Sequence, residues 1–446
     1  MSQAKVHIVT FGCQMNRLDS ELIAGDLRAA GFEPAKSEAE ADVILFNTCS
    51  VRQHAEERVY SRLGALQALK RRRPEVVIGV IGCMAQMHGE AIFARAPHVG
   101  LVCGTKGLSR LAEFIAEARG GMRVCATEKD GAPLVRRSAC ERINRHVAYV
   151  YIMRGCDNYC AYCVVPYARG PEESRPPGEI IEEVRALADD GCKEVTLLGQ
   201  NVNSYGKGLT PKLGLADLLE SLNEIAGLER IRFVTSHPKD MSREILCAVG
   251  RLKKVCEHLH MPAQSGSDKI LKAMNRRYTG ARYREIVAEA RELILGVALA
   301  SDFIVGFPGE TEEDFEATER LMRDVRFQQS VVFKYSPRPR TAAAQLADDV
   351  PQKVKAERNR RLLAVQEEIS REEHAKMVGT TVEVLVEGPS KSDKSKLMGR
   401  SRQNDIVIFP GDRALIGKLV TVHVESSTPL TLFGRVECVQ GRNCKP

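Results

Sequence analysis

Three cysteines fall within eight residues, Cys156-Asp157-Asn158-Tyr159-Cys160-Ala161-Tyr162-Cys163, at spacings of four and then three. The apolar run before them, residues 147–153 (VAYVYIM), reads as a strand; the Pro- and Gly-rich stretch after them reads as loop. Three thiols are thus gathered on one loop at the carboxyl end of a strand. Three thiolates leave a tetrahedral zinc shell one ligand short, but they hold three corners of an iron–sulfur cube and leave the fourth iron open. Two other readings compete with this one: a zinc site closed by a distant fourth ligand, and three packed structural cysteines. A disulfide would leave one thiol over and would need an oxidising compartment.

The 446 residues suffice for two or three domains. No apolar run approaches the ~18 residues of a membrane helix. The start, MSQAKVHIVTFGCQ, has no signal-peptide core. A cytoplasmic chain without a membrane partner is therefore expected, with its 14 cysteines given to metal or redox chemistry. The net charge of +7 leans toward an anionic partner. Tryptophan is absent and aromatics are 5%, so base-stacking platforms must be few.

Residues 1–120 alternate strand and helix: KVHIVTFGC, a helix over DSELIAGDLRAAGF, ADVILFNTC, a helix near 53–69, and EVVIGVIGC. Leu22, Ile23, Leu27 and Ala30 share one face of the first helix, and Gly31 stops it. This order predicts a doubly wound parallel α/β layer. Cys13, Cys49 and Cys83 each fall just past a strand's carboxyl end, and in an open parallel sheet those ends lie along one edge. They either pack as small hydrophobes or converge into a second three-thiolate site. Cys103 reads as structural, since a fourth ligand would close that site. The run Lys70–Arg73 is either a solvated helix end or a phosphate contact. Residues 121–142 read as a linker.

From 143 to 373, strands at 147–153, 194–199, 231–235, 257–261, 300–305 and 330–335 alternate with helices, predicting a partial (β/α)6 barrel with active residues at the strand carboxyl ends. Ile180, Ile181, Val184 and Leu187 keep helical register, and Thr311 with Asp314 forms a capping box. The strand ends carry Gln200 and Asn201, Ser236 and His237, Gln264 and Ser265, Ile304, Gly306 and Glu310, and Arg338. Glycines there admit a ligand to the backbone, and amides and hydroxyls can bind ribose or carboxylate groups. His237, His258 and His260 read as packed or capping side chains. Residues 374–440 change to short alternating strands, a small β-barrel. From Lys376 onward there are eleven Lys or Arg against seven Asp or Glu, concentrated at Lys391, Lys394, Lys396, Arg400 and Arg402. That loop is either a solvated hairpin or a phosphate-backbone grip.

Together FGCQMN, NTCSVR, IGCMAQ and CDNYCAYCVVPYARG, with LLGQNVNSYG and HLHMPAQSGSDKILKAMNRRYT, resemble the methylthiotransferase family of radical-SAM (S-adenosylmethionine) enzymes over essentially the whole chain. The tail resembles its RNA-binding TRAM barrel. The resemblance implies that Cys156, Cys160 and Cys163 hold a [4Fe–4S] cluster that binds and cleaves SAM. It implies that Cys13, Cys49 and Cys83 hold an auxiliary [4Fe–4S] cluster carrying the inserted sulfur. Two SAM are used per turnover, one as methyl donor and one as radical source. Tyr162, Gln200, Asn201, Gln264, Ser265, Ile304, Gly306, Glu310 and Arg338 become candidates for SAM, and the basic loop for RNA. The implied reaction is methylthiolation of carbon 2 of N6-dimethylallyladenosine at position 37, in the tRNA anticodon stem-loop. An electron donor such as flavodoxin or ferredoxin, and a sulfur source, are implied partners. Alternatives are methylthiolation of N6-threonylcarbamoyladenosine in tRNA or of a ribosomal-protein aspartate. A further one, from a different class, is a zinc-bearing, non-catalytic RNA-binding protein.

Overall fold

A computed structural model describes residues 3–50, 53–127, 142 and 144–439. The chain divides into two compact units. One holds Met1–Ile143, Arg154–Glu173 and Arg338–Ala344; the other holds Asn144–Met153, Ser174–Pro337 and Gln345–Pro446. The Cys156–Cys163 loop therefore clusters with the N-terminal sheet, and the C-terminal barrel clusters with the central strands.

The first unit is built on a parallel sheet ordered Glu33–Pro34, Lys5–Thr10, Val43–Thr48, Val77–Gly82, Leu101–Cys103 and Val124–Ala126. Val43–Thr48 and Val77–Gly82 are buried along their whole length, as central strands covered on both faces must be. The last strand falls within residues expected to be linker. Three residues are too few to show a period, so only pairing with Leu101–Cys103 reveals it. The remainder of that linker, residues 128–141, lies outside the described residues. The helix Gln14–Ala29 begins earlier than the pattern suggested and buries Leu22, Ile23 and Leu27, whereas Ala30 lies past its end, exposed. In Gln53–Arg72, Lys70 caps the carbonyls of Pro74 and Val76, and Arg73 pairs with Asp42 and Glu75. The basic run thus ends a helix, and two of its four cations are used internally.

In the second unit, Val147–Tyr151, Glu194–Leu198 and Arg230–Phe233 form one parallel sheet. His258–His260, Ala298–Val305 and Gln329–Lys334 form another. A bridge between Ile231 and Val255, and the Ser236 N–H donating to the His260 carbonyl (3.0 Å), join them into six parallel strands. Helices cross between them. Pro177–Asp189 buries Ile180, Val184 and Leu187, with Ile181 at the margin. Thr311 and Asp314 cap Glu312–Val325 reciprocally. The long helix Gln352–Lys376 leads to a closed barrel ordered Thr381–Pro389, Lys396–Ser401, Ile406–Pro410, Thr431–Val439 and Leu419–Thr428.

Buried arginines fasten that barrel to the central strands. Arg230, with no exposed surface, donates to the Glu383 carboxylate (2.8 Å) and the Arg400 carbonyl (2.8 Å). Arg232 donates to Glu194 (2.9 Å) and to the carbonyls of Ser401 (2.6 Å) and Arg402 (2.7 Å). Arg402 itself grips both oxygens of Glu257 at 2.7 Å. Removing one partner of such a buried pair costs about 3–5 kcal/mol.

Candidate metal centre

Three neighbouring strands of the N-terminal sheet each deliver one cysteine. Lys5–Thr10 continues through Phe11 and Gly12 to Cys13, the extended residue before the helix Gln14–Ala29. Cys49 follows Val43–Thr48 directly, and Cys83 opens the short helix Cys83–His88 at the end of Val77–Gly82. Thr10 opposes Asn47 and Thr48 opposes Gly82, so register brings the three positions side by side. The Cys13 thiol donates to Asn16 Oδ1 (3.2 Å), and Cys49 and Cys83 lie close enough to act on it electrostatically. Gly12 makes the approach possible. Its φ is +123°, and a Cβ there would lie 2.4 Å from the Cys49 Cβ.

Two fully buried asparagines lock these strand ends. Asn16 Nδ2 donates to Asn47 Oδ1 (3.1 Å) and the Thr48 carbonyl (3.0 Å). Asn47 Nδ2 donates to the Asn16 carbonyl (2.8 Å) and Ser20 Oγ (2.9 Å). Sequence reasoning missed both. The available signal was an amide three residues after Cys13 and another two before Cys49, where the pattern called for apolar residues.

The electrostatics favour one thiolate. The hydrogen bond from Cys49 holds the Cys13 pKa down at about 6, against burial and with help from the Arg169 cation. Burial pushes Cys83 up. Cys13 is exposed to solvent, whereas Cys49 and Cys83 are buried. Cys103, on the next strand, is fully buried with its pKa pushed up to about 12 by desolvation, which suits a packed thiol.

The second trio is local. Cys156 and Cys160 are buried and Cys163 partly so. The loop closes through the Cys156 N–H to the Gly170 carbonyl (3.1 Å) and the Cys163 N–H to the Cys160 carbonyl (2.9 Å). Gly155, at φ +71°, lets the chain enter; a Cβ there would lie 1.8 Å from the Pro171 carbonyl oxygen. Burial raises the Cys156 thiol to about 11, and Cys160 and Glu172 add to it. Bound metal would reverse this, since thiols coordinate as thiolates.

The two trios share one compact unit. Cys83 packs with Met87, Val164 and Ala168, and Val164 is the residue after Cys163. The next helix, Val165–Arg169, ends on an arginine paired with Asp19 at 2.7 Å. In the same unit Arg338 lies 3.6 Å from Glu56, beside Cys49, with its pKa lowered by burial. Glu56 is hydrogen-bonded by Ser50 and by His88 (3.3 Å). Tyr162 is half-buried within the cysteine loop.

The other strand-end candidates lie in the second unit. Asn201 bonds Asp240 (2.7 Å) and accepts from the His237 N–H. Ser265 bonds Thr318 (3.2 Å) and accepts from the Ser267 N–H. Glu310, its pKa raised to about 7 by burial, accepts from the Gly306 N–H (2.6 Å) and pairs with Arg358 (2.8 Å). These three shape the loops they stand on. Ile304 is half-buried on Ala298–Val305, and its N–H donates to the Gln264 carbonyl (3.0 Å). Gly306, at φ +70°, leaves room for the Lys355 chain. Gln200 and Gln264 each keep a buried side-chain oxygen with no hydrogen-bond partner among the described residues, and Ser236 Oγ and His237 Nε2 are likewise without one. An orphaned buried acceptor is costly unless a ligand fills it. His258 is buried, held at about 3 by desolvation; His237 caps Lys239, and His260 accepts from the Thr235 N–H.

The donor set fits iron–sulfur chemistry. Each trio offers only sulfur donors, and a four-iron cube takes each thiolate on a different iron.

Comparison with known proteins agrees. Family models match an uncharacterized protein family, UPF0004, over residues 5–104, the radical SAM superfamily over 150–322 and the TRAM domain over 375–436. The tRNA-2-methylthio-N(6)-dimethylallyladenosine synthase of Moorella thermoacetica is 48% identical over 433 residues, covering 96% of this chain and 97% of that one. Its counterpart in Syntrophomonas wolfei is 47% identical, covering 97% of each. The chain belongs to the tRNA-2-methylthio-N(6)-dimethylallyladenosine synthase family. As a family member it is a radical-SAM methylthiotransferase, with S-adenosylmethionine and [4Fe–4S] clusters as its cofactors. Among solved structures it resembles TsrM of Kitasatospora setae, a radical SAM methyltransferase with cobalamin and a [4Fe–4S] cluster bound. The TM-score is 0.55 at 16% identity, over 76% of this chain and 77% of that one. This last likeness shows the fold alone.

Proposed function

We propose that this chain methylthiolates carbon 2 of N6-dimethylallyladenosine at position 37 of tRNA. The observation that carries the reading is the presence of two three-thiol sets in one compact unit, one local and one assembled across three adjacent strands. Cys156, Cys160 and Cys163 would hold one [4Fe–4S] cluster, and Cys13, Cys49 and Cys83 a second, each set supplying three thiolates. When bound, the clusters and SAM supply hydrogen abstraction at carbon 2 and a methylated sulfur to replace that hydrogen.

The chain's own residues place and shield this chemistry. Asn16 and Asn47 fix the spacing of the three strand ends, and Gly155 sets the entry of the cysteine loop. Gln200 and Gln264, in the second unit, keep buried acceptor oxygens free for a donor. Of the basic loop, Lys391, Lys394 and Lys396 are exposed, and they are the phosphate contacts for tRNA. Arg400 turns to Asn404 and Glu387, and Arg402 to Glu257. Among the described residues no helix is long and apolar enough to cross a membrane. On this reading the chain is cytoplasmic and draws on a low-potential electron donor, such as flavodoxin or ferredoxin, and a sulfur source.

The test is nucleoside analysis of tRNA from cells lacking this chain, with and without its restoration. The expected result is loss of the methylthio group and accumulation of N6-dimethylallyladenosine, reversed on restoration. Loss confined to threonylcarbamoyladenosine or to a ribosomal protein would assign a different substrate. Anaerobically purified protein holding zinc and no iron would overturn the enzymatic reading.

A further inference from the structure

Arg169 is a cation that the reaction chemistry above leaves unused. It is almost wholly buried, and its guanidinium is 2.7 Å from Asp19, on the helix that Cys13 opens. Its charge acts on both Cys83 and Cys13. The residue before it, Ala168, packs on Cys83 and accepts a hydrogen bond at its carbonyl from Thr105 Oγ1 (2.7 Å). The residue after it, Gly170, accepts from the Cys156 N–H. The segment that closes one cysteine loop therefore inserts a positive charge among the thiols of the other trio.

A buried arginine with a single carboxylate is neutralised one for one. Here the same guanidinium also stands beside Cys83, on which its neighbour Ala168 packs. Three thiolates and an anionic fourth ligand outweigh the charge of an iron–sulfur core, so the occupied trio is a net anion in a desolvated place. Such a group needs a counter-charge, and hydrogen bonds to its sulfurs raise its reduction potential.

We propose that Arg169, held in place by Asp19, is the positioning residue and counter-cation of the Cys13–Cys49–Cys83 cluster, retaining it and raising its potential. This rests on the reading that the trio holds a cluster.

The test uses the full chain with Cys156, Cys160 and Cys163 all changed to alanine, so that only the auxiliary cluster remains. Iron content and reduction potential are measured anaerobically for this background, and then with Arg169→Gln, Arg169→Lys or Asp19→Asn added. Arg169→Gln should lower the potential and weaken cluster retention about 10- to 100-fold. Arg169→Lys keeps the charge without the forked geometry and should fall between Gln and Arg. Asp19→Asn removes the competing anion and should move the potential the opposite way. Potentials that stay put, or that move in the same direction for Arg169→Gln and Asp19→Asn, would overturn the proposal. A background that binds no iron, in folded protein, would instead overturn the reading on which it rests.

Discussion

The two cysteine trios solve one problem by opposite routes. Cys156, Cys160 and Cys163 need eight residues of chain, and their geometry is set by local turns entered at Gly155. Cys13, Cys49 and Cys83 span 71 residues and are brought together by strand register, with Asn16 and Asn47 bolting the strand ends. The local site is cheap in entropy, because a short loop closes easily. The assembled site exists only once the sheet exists, so it draws on the stability of a whole unit. A local site should tolerate damage elsewhere, whereas an assembled one should fail with its scaffold.

The largest effects come from the ligands themselves. Cys160→Ala should abolish both reductive SAM cleavage and methylthiolation. Cys13→Ala should abolish methylthiolation and leave SAM cleavage standing. Counting 5′-deoxyadenosine and methylthiolated nucleoside in single turnovers separates the two. If Cys13→Ala also stopped SAM cleavage in folded protein, the trios would not be independent and the comparison would break.

Next come the supports. Asn47→Ala removes the partner of Asn16 and leaves buried amide groups unsatisfied, at about 1–3 kcal/mol for each. It should lower the melting temperature and selectively empty the auxiliary cluster. Gly155→Ala forces a β-carbon against the Pro171 carbonyl at a left-handed φ, costing about 1–3 kcal/mol from strain alone. It should empty the Cys156 cluster first. Iron counts and cluster spectra read this directly, and equal losses from both clusters in both variants would erase the distinction.

The sequence made the local site plain and the assembled site half plain. The 156–163 spacing survives any folding, so it could be read directly. Cys13, Cys49 and Cys83 were visible as strand ends, because apolar runs mark the strands and a parallel sheet aligns their termini. What held them could not be read. Asn16 meets Asn47 31 positions away, and Arg169 meets Asp19 150 away. Nothing in either segment specifies such a partner. The same blindness affected the basic loop. Charge reveals an abundance of cations but not their direction, and Arg402 points to Glu257, 145 residues distant. At Glu310 the contacts that brace its own turn, to Gly306 and Arg358, were likewise invisible in the sequence.

The basic residues supply a smaller test of the same contrast between local and assembled roles. Changing Lys391, Lys394 and Lys396 together to alanine should weaken tRNA binding about tenfold at ~0.1 M salt and flatten its salt dependence, with little change in melting temperature. Arg402→Ala should do the reverse, lowering stability and leaving the salt slope as it was, because its charge is spent on Glu257. Titration of labelled anticodon stem-loop at several salt concentrations checks both.

The smallest effect is the most specific. Thr105 Oγ1 donates to the Ala168 carbonyl at 2.7 Å, a single buried hydrogen bond between the end of the N-terminal sheet and the segment that follows the cysteine loop. Thr105→Val keeps the shape and removes the donor, so about 1 kcal/mol should be lost. If the two trios were mere neighbours, that loss would appear as slightly lower stability and nothing more. If the loop's exit segment holds the assembled trio in register, as the packing of Ala168 on Cys83 implies, the auxiliary cluster should also leach faster into chelator while the Cys156 cluster stays. Following the two clusters by their separate spectra during chelation decides between these outcomes.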